Sequence, residues 1–133
     1  MLAKKYIRDA KAYVWKETFA ILKSKKPPIN AFAVIQDKNE TTVIIEESKI
    51  DDKEAINIKK DFKILTFDMI LPFGLVGFLA YVSNALAKKQ VSIFAISAFS
   101  TDHILVKEKD LSKAVKTLQT LGFIIKYNKH IKS

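Results

Sequence analysis

The chain contains no cysteine, only three glycines and three prolines, and a single tryptophan in 133 residues. Without cysteine there are no disulfides and no thiolate metal sites. That fits a reducing compartment, so a cytoplasmic location is expected. No Gly-x-Ser-x-Gly, P-loop, His-Glu-x-x-His or dinucleotide fingerprint occurs. No constellation for catalysis or for a cofactor stands out, and neither an enzymatic activity nor a cofactor is expected. What remains is an ordinary folded composition, 49% hydrophobic and 28% charged, enough for one compact domain or two small lobes.

Arginine is nearly absent as well. Arg8 is the only one, and lysine supplies the rest of the 23 basic residues that set the formal charge of +9. A basic chain invites a nucleic-acid partner. Here the lysines are dispersed, no basic run is longer than a pair, and no aromatic-basic ribonucleoprotein motif appears. The reading is a solvated surface, and nucleic acid is not the expected partner. The N-terminus has basic residues but no apolar core or cleavage site, so no signal peptide is expected. Met69–Ala87 is long and apolar enough to span a membrane. Pro72 and Gly74 near its start and the helical spacing that follows argue for a buried helix instead, and no membrane association is expected.

Leu2, Tyr6, Ala10 and Tyr13 recur at three and four, predicting a short amphipathic N-terminal helix. Thr18–Leu22 reads as a strand, and Pro27-Pro28 then interrupts regular structure. Ala31–Gln36 and Thr41–Glu46 flank Asp37-Lys38-Asn39-Glu40 as a hairpin, with Asn39 expected at positive φ. Ser48–Asn57 is a linker or short helix and marks a lobe boundary. Phe62–Ile70 reads as a strand. Leu75, Leu79, Val82 and Leu86 then define a helix. Val91–Phe99 and Ile104–Val106 are strands around a tight turn at Ser100-Thr101-Asp102. Asp110 is placed to cap a helix whose buried face is Leu111, Ala114, Val115, Leu118 and Leu121, with Gly122 ending it. Phe123–Tyr127 closes as a strand.

From Phe62 onward the order is β-α-β-β-α-β, an α+β, ferredoxin-like arrangement. Both helices cover one face of such a sheet, yet Ser92–Phe99 is apolar on both. A second layer, from the first lobe or from another subunit, is expected on the far face. The expected organisation is residues 1–58 as a degenerate N-terminal lobe carrying the N-terminal helix, 59–128 as the complete domain, and 129–133 as a tail.

Phe73-Gly74-Leu75-Val76-Gly77-Phe78-Leu79, the Leu86–Ser97 run LAKKQVSIFAIS and the Thr101–Lys107 hairpin segment TDHILVK together resemble the ACT domain. More narrowly, they resemble the small tandem-ACT proteins related to the cytosolic arginine sensors. The resemblance implies a regulatory protein that binds a free amino acid at an inter-lobe or inter-subunit cleft, and a homodimer. It implies that Leu71, Pro72, Phe73, Gly74, Leu75 and Val76 offer backbone amides to a carboxylate at a helix start. Ser97, Thr101 and Asp102 would border the crevice, with Asp102 facing a cationic group. Thr18–Glu46 has three strands but no Gly-led helix, hence a degenerate ACT-like half. Ala98, Ser100 and His103 stand where relatives often carry Thr, Asp and an aromatic.

Other features have plainer readings. Gly74 and Gly77 serve either close approach to a ligand or a tight strand-to-helix turn. His103 has no second ligand at metal spacing, with His130 far along the chain, so no metal is expected. Trp15, beside Tyr13 and Phe19, is read as a packing residue. Glu46-Glu47 and Asp51-Asp52 read as solvated charges. A basic module for RNA or a protein partner, and a dimerisation unit without a ligand, are the alternative functions.

Overall fold

The computed structural model describes residues 2–69 and 77–127. Its elements are α1 (Leu2–Ile7), β1 (Lys11–Val14), β2 (Phe19–Ser24), β3 (Ala33–Gln36), β4 (Thr41–Glu46), β5 (Ala55–Asp68), α2 (Phe78–Lys88), β6 (Phe94–Ser97), β7 (Asp102–Lys107), α3 (Leu111–Leu121) and β8 (Ile124–Tyr127). Short 3-10 turns occupy Glu47–Lys49 and Glu108–Asp110. Among the described residues, no helix is long and apolar enough to cross a membrane.

The chain divides into two compact units. One joins Met1–Lys16 to Lys63–Ser133; the other is Glu17–Phe62. This division differs from a cut after residue 58, because the first sixteen residues group with the C-terminal part. The cause is backbone pairing. β1 runs antiparallel to β5, Lys11 opposite Asp68 and Val14 opposite Leu65, and parallel to β8, Lys11 opposite Ile124.

The first unit therefore has the sheet order β6-β7-β5-β1-β8. It is the βαββαβ arrangement with one strand added between its first and last. Side chains alternate across the sheet. Ala12, Val14, Leu65, Phe67, Ile104 and Val106 face the helices and meet Ile7, Phe78, Val82, Leu86, Ala114, Val115 and Leu118 in one core. Phe67 is at its centre, 5.4 Å edge-to-face from Phe78 and 5.2 Å from Phe123 between ring centroids. Ile64, Thr66 and Leu105 occupy the opposite face and are also buried.

The N-terminal helix is shorter than its periodicity predicts. Asp9 adopts φ 60 and the Ala10 amide donates to the Ile7 carbonyl, which ends α1 before Lys11-Ala12-Tyr13-Val14 joins the sheet. The polar-apolar alternation of that run suits a strand better than the i, i+4 pattern suits a helix. The helix ending at Gly122 closes as expected. Gly122 has φ 121, its amide reaches Gln119, and the Phe123 amide reaches Leu118, a Schellman closure. α2 closes in the same way but with Gln90 at φ 60, where a side chain is strained. Asp110 does not cap α3: its backbone is helical and its side chain makes no capping bond, because the 3-10 turn runs directly into the helix.

The second unit is a four-stranded sheet in the order β3-β4-β2-β5, the strand order of a ferredoxin-like fold. It contains no α-helix. The segment after β2 is the Pro27-Pro28 loop, and the segment after β4 is the 3-10 turn at Glu47–Lys49. The strand order is thus present without the two crossover helices that usually accompany it. Ala20, Leu22, Val43 and Ile45 form its small core. In the β3–β4 turn, Asp37 accepts from the amides of Asn39 at 2.8 Å and Glu40 at 2.9 Å. Asn39 is not at positive φ; the Asp37 carboxylate stabilises the turn in place of a left-handed residue.

Phe67→Ala is expected to lower stability by about 3–5 kcal/mol, read by urea denaturation. A loss under about 1 kcal/mol would contradict the aromatic core as described. Gln90→Gly should add about 1 kcal/mol by relieving the left-handed residue, and no gain would mean that the strain is absent.

Candidate functional site

The candidate residues from the sequence fall into two groups. Leu71, Pro72, Phe73, Gly74, Leu75 and Val76 lie outside the described residues. Gly77, next along the chain, has φ 93 and precedes the first residue of α2, so the strand-to-helix turn itself requires a left-handed residue there. Ser97, Thr101 and Asp102 come together at the β6–β7 hairpin. Ser97 pairs directly with Asp102, and the Ala98 amide donates to the Thr101 carbonyl at 2.9 Å.

The hairpin nevertheless separates these three side chains. Paired residues share a face, and the face alternates along each strand. Asp102 lies on the side of Ile104, toward the helices, and Ser97 with it. Thr101 belongs with His103 on the other side, its Oγ1 3.4 Å from His103 Nε2. Two chemical surfaces therefore meet at one turn, an exposed hydroxyl and a half-buried carboxylate on one side and a hydroxyl and imidazole on the other.

Behind Thr101 runs a polar chain that sequence reasoning missed. Trp15 Nε1 donates to Thr66 Oγ1 at 2.7 Å, and that oxygen is 2.7 Å from His103 Nδ1. Indole only donates, so Thr66 accepts from Trp15 and its hydroxyl hydrogen is available to His103. With Nδ1 accepting, the neutral ring carries its hydrogen on Nε2, toward Thr101. The signal was present in the sequence: a half-buried tryptophan needs an acceptor, and Thr66 is the polar position in the apolar run Ile64–Phe67. Without the pairing of β1 beside β5, nothing linked the two.

His103 titrates below its ordinary value of 6.5, chiefly because burial disfavours the charged ring, with the nearby Asp102 carboxylate opposing that shift. Protonation at Nδ1 would also turn the acceptor facing Thr66 into a donor. A hydroxyl bonded to imidazole has the composition of a nucleophile and its base. Thr66 is only 3% exposed, however, so a substrate cannot approach its oxygen. The pair reads as a structural network. Among the described residues, no three His, Asp or Glu side chains cluster to hold a metal ion.

Residues 57–120 match the family model of the ACT domain. The matched segment runs from within β5 to the last turn of α3, just under half of the chain. Several solved structures share the fold over most of their length. A protein from Agobacterium tumefaciens superposes with a TM-score of 0.79 at 20% identity, covering 94% of this chain and 98% of its own. A Vibrio cholerae protein described as a possible transport protein gives 0.73 at 15% identity, over 90% and 94%. The regulatory subunit of aspartate kinase from Thermus thermophilus gives 0.64 at 9% identity, over 83% and 95%. At these identities the likeness is one of fold. No curated protein matches the chain significantly.

The lowered His103 value fixes the sign of a pH effect. The unfolded chain takes up the proton more readily, so the contribution of His103 is complete above pH 6.5 and declines as pH falls from there through the lower folded value. The melting temperature should therefore fall more steeply on acidification in the parent protein than in His103→Gln. Parallel curves for the two would show that the ring is not held neutral by the fold.

Proposed function

We propose that this protein is a non-enzymatic regulator that binds a small amino-acid effector. The observation that carries the reading is the ACT-domain match over residues 57–120, on a fold shared with a regulatory subunit of aspartate kinase. Two further features agree with it. Thr66, the hydroxyl bonded to His103, is inaccessible, whereas the Ser97–Asp102 hairpin presents an exposed Ser97 and half-buried Thr101 and Asp102. In this reading Asp102 and Ser97 meet polar groups of the effector from one side of the hairpin, and Thr101 from the other. Leu71–Val76 take the carboxylate, a role that rests on the resemblance.

The chain acts in the cytoplasm as a homodimer, in the manner of the tandem-ACT proteins, the helix-poor unit being the second ACT-like half. An edge strand supports self-association. Among the described residues β3 pairs only with β4; it has no charged side chain and leaves Val34 and Ile35 exposed. An effector that contacts two copies would favour the arrangement satisfying both sets of contacts, limited by its differential affinity.

A thermal-unfolding screen against the common amino acids tests this directly. An effector at a hundred times its dissociation constant should add about 2.7 kcal/mol, a clear rise in melting temperature. Asp102→Asn should remove that rise while leaving the unliganded melting temperature nearly unchanged. A flat response across the panel at millimolar concentrations would reject the effector reading.

A further inference from the structure

A separate recess lies wholly within the second unit and shares no residue with the hairpin. A cavity of about 400 Å³ opens over the sheet face that carries Leu22 and Ile45. The loop at Lys26–Asn30 and the segment from Lys49 to Glu54 enclose it. A complete βαββαβ unit lays its crossover helices on this face. Here one crossover is the Pro27-Pro28 loop and the other a 3-10 turn, so the face is open to a ligand. The volume is at the small end of the roughly 300–1,000 Å³ typical of ligand sites.

Its lining has two characters. The floor is aliphatic, Leu22 and Ile45, both nearly inaccessible to water. The rim carries two cations, Lys26 and Lys49, and two carboxylates, Asp51 and Glu54. Lys26 Nζ is 3.8 Å from Glu54, and Lys49 Nζ is 3.5 Å from Glu46. Exposed pairs of this kind are weak and exchange partners readily. Ser24, buried in the lining, gives its hydroxyl hydrogen to the Lys26 carbonyl at 2.8 Å, with the Glu54 carbonyl at 3.3 Å. Its oxygen lone pairs still suit an incoming N–H.

We propose that this cavity binds a small, net-neutral zwitterion with an aliphatic side chain. Its carboxylate meets Lys26 and Lys49. Its ammonium group meets Asp51, Glu54 and the Ser24 oxygen, and its side chain packs on Pro27, Pro28 and the exposed Ile29 above Leu22 and Ile45. The balance of rim charges selects this class. An anion such as phosphate is attracted by two lysines and repelled by two carboxylates, and a purely apolar ligand would desolvate all four charges without compensation. The proposal stands apart from the effector reading, because it uses different residues in a different unit.

Titration of the ¹⁵N-labelled full chain with L-leucine, followed by NMR, tests it. Saturable shifts are expected at the amides of Lys26, Asn30, Ala31 and Lys49–Glu54, with weaker responses to L-glutamate, L-lysine and inorganic phosphate. Lys49→Ala and Glu54→Gln should each weaken L-leucine by about tenfold without changing the unliganded melting temperature. No shift at these amides, an equal response to phosphate, or indifference to both variants overturns the proposal. Shifts confined to Ser97–Asp102 overturn it too and leave the effector reading standing. Shifts confined to the cavity support it alone.

Discussion

The hydrogen bonds of β1 organise the larger unit. In the strand order of a bare βαββαβ sheet, the last strand lies beside the first. Here β1 occupies that place, antiparallel to β5 and parallel to β8, and β8 finds its partner only through it. Buried backbone groups left unpaired are costly, so the inserted strand is a requirement of the fold. Everything on the far face follows from it. Trp15, just beyond β1, reaches Thr66 on β5, and Thr66 reaches His103 on β7. A backbone ladder thereby positions the hydroxyl that meets a histidine two strands away.

The two units use the same strand order in different ways. In the first, three helices cover the sheet and produce a dense core around Phe67. The second has the sheet without the helices; one face buries Ala20, Leu22, Val43 and Ile45, and Phe19 and Ile44 are buried as well. Fewer apolar side chains are buried there than in the first unit, so the stabilisation they supply is smaller. What the second unit loses in packing it gains as accessible concave surface, bordered by charges of both signs.

Much of the architecture was legible in the sequence, because its strongest signals are local. The helical recurrence of Leu79, Val82 and Leu86, the β-branched runs flanking Asp37–Glu40, and Gly122 after an amphipathic segment are each short-range patterns. The ACT likeness was legible in the same stretch. The N-terminus misled because Tyr6, Ala10 and Tyr13 satisfy a helical spacing, while Asp9 in a left-handed conformation and a partner far along the chain decide otherwise. Asn39 and Asp110 misled for a related reason. Each has the right chemistry for a turn or a cap, but a neighbouring carboxylate or a preceding 3-10 turn meets the need first. The Trp15–Thr66–His103 chain and the cavity over Leu22 depend on tertiary pairing and on absent helices, neither of which leaves a local pattern.

The position of β1 also bears on how the chain reaches this structure. Lys11 is matched with Ile124, so β1 waits for a strand made more than a hundred residues later. Pairings of such long sequence separation slow folding, because loop closure must precede the contacts that stabilise it. The Glu17–Phe62 sheet, whose pairings are all internal to that segment, can form on the ribosome while its flanks are still open. The larger unit is then assembled around an insert that is already folded, and until β8 arrives the exposed edge of β1 is the point at which misassembly begins.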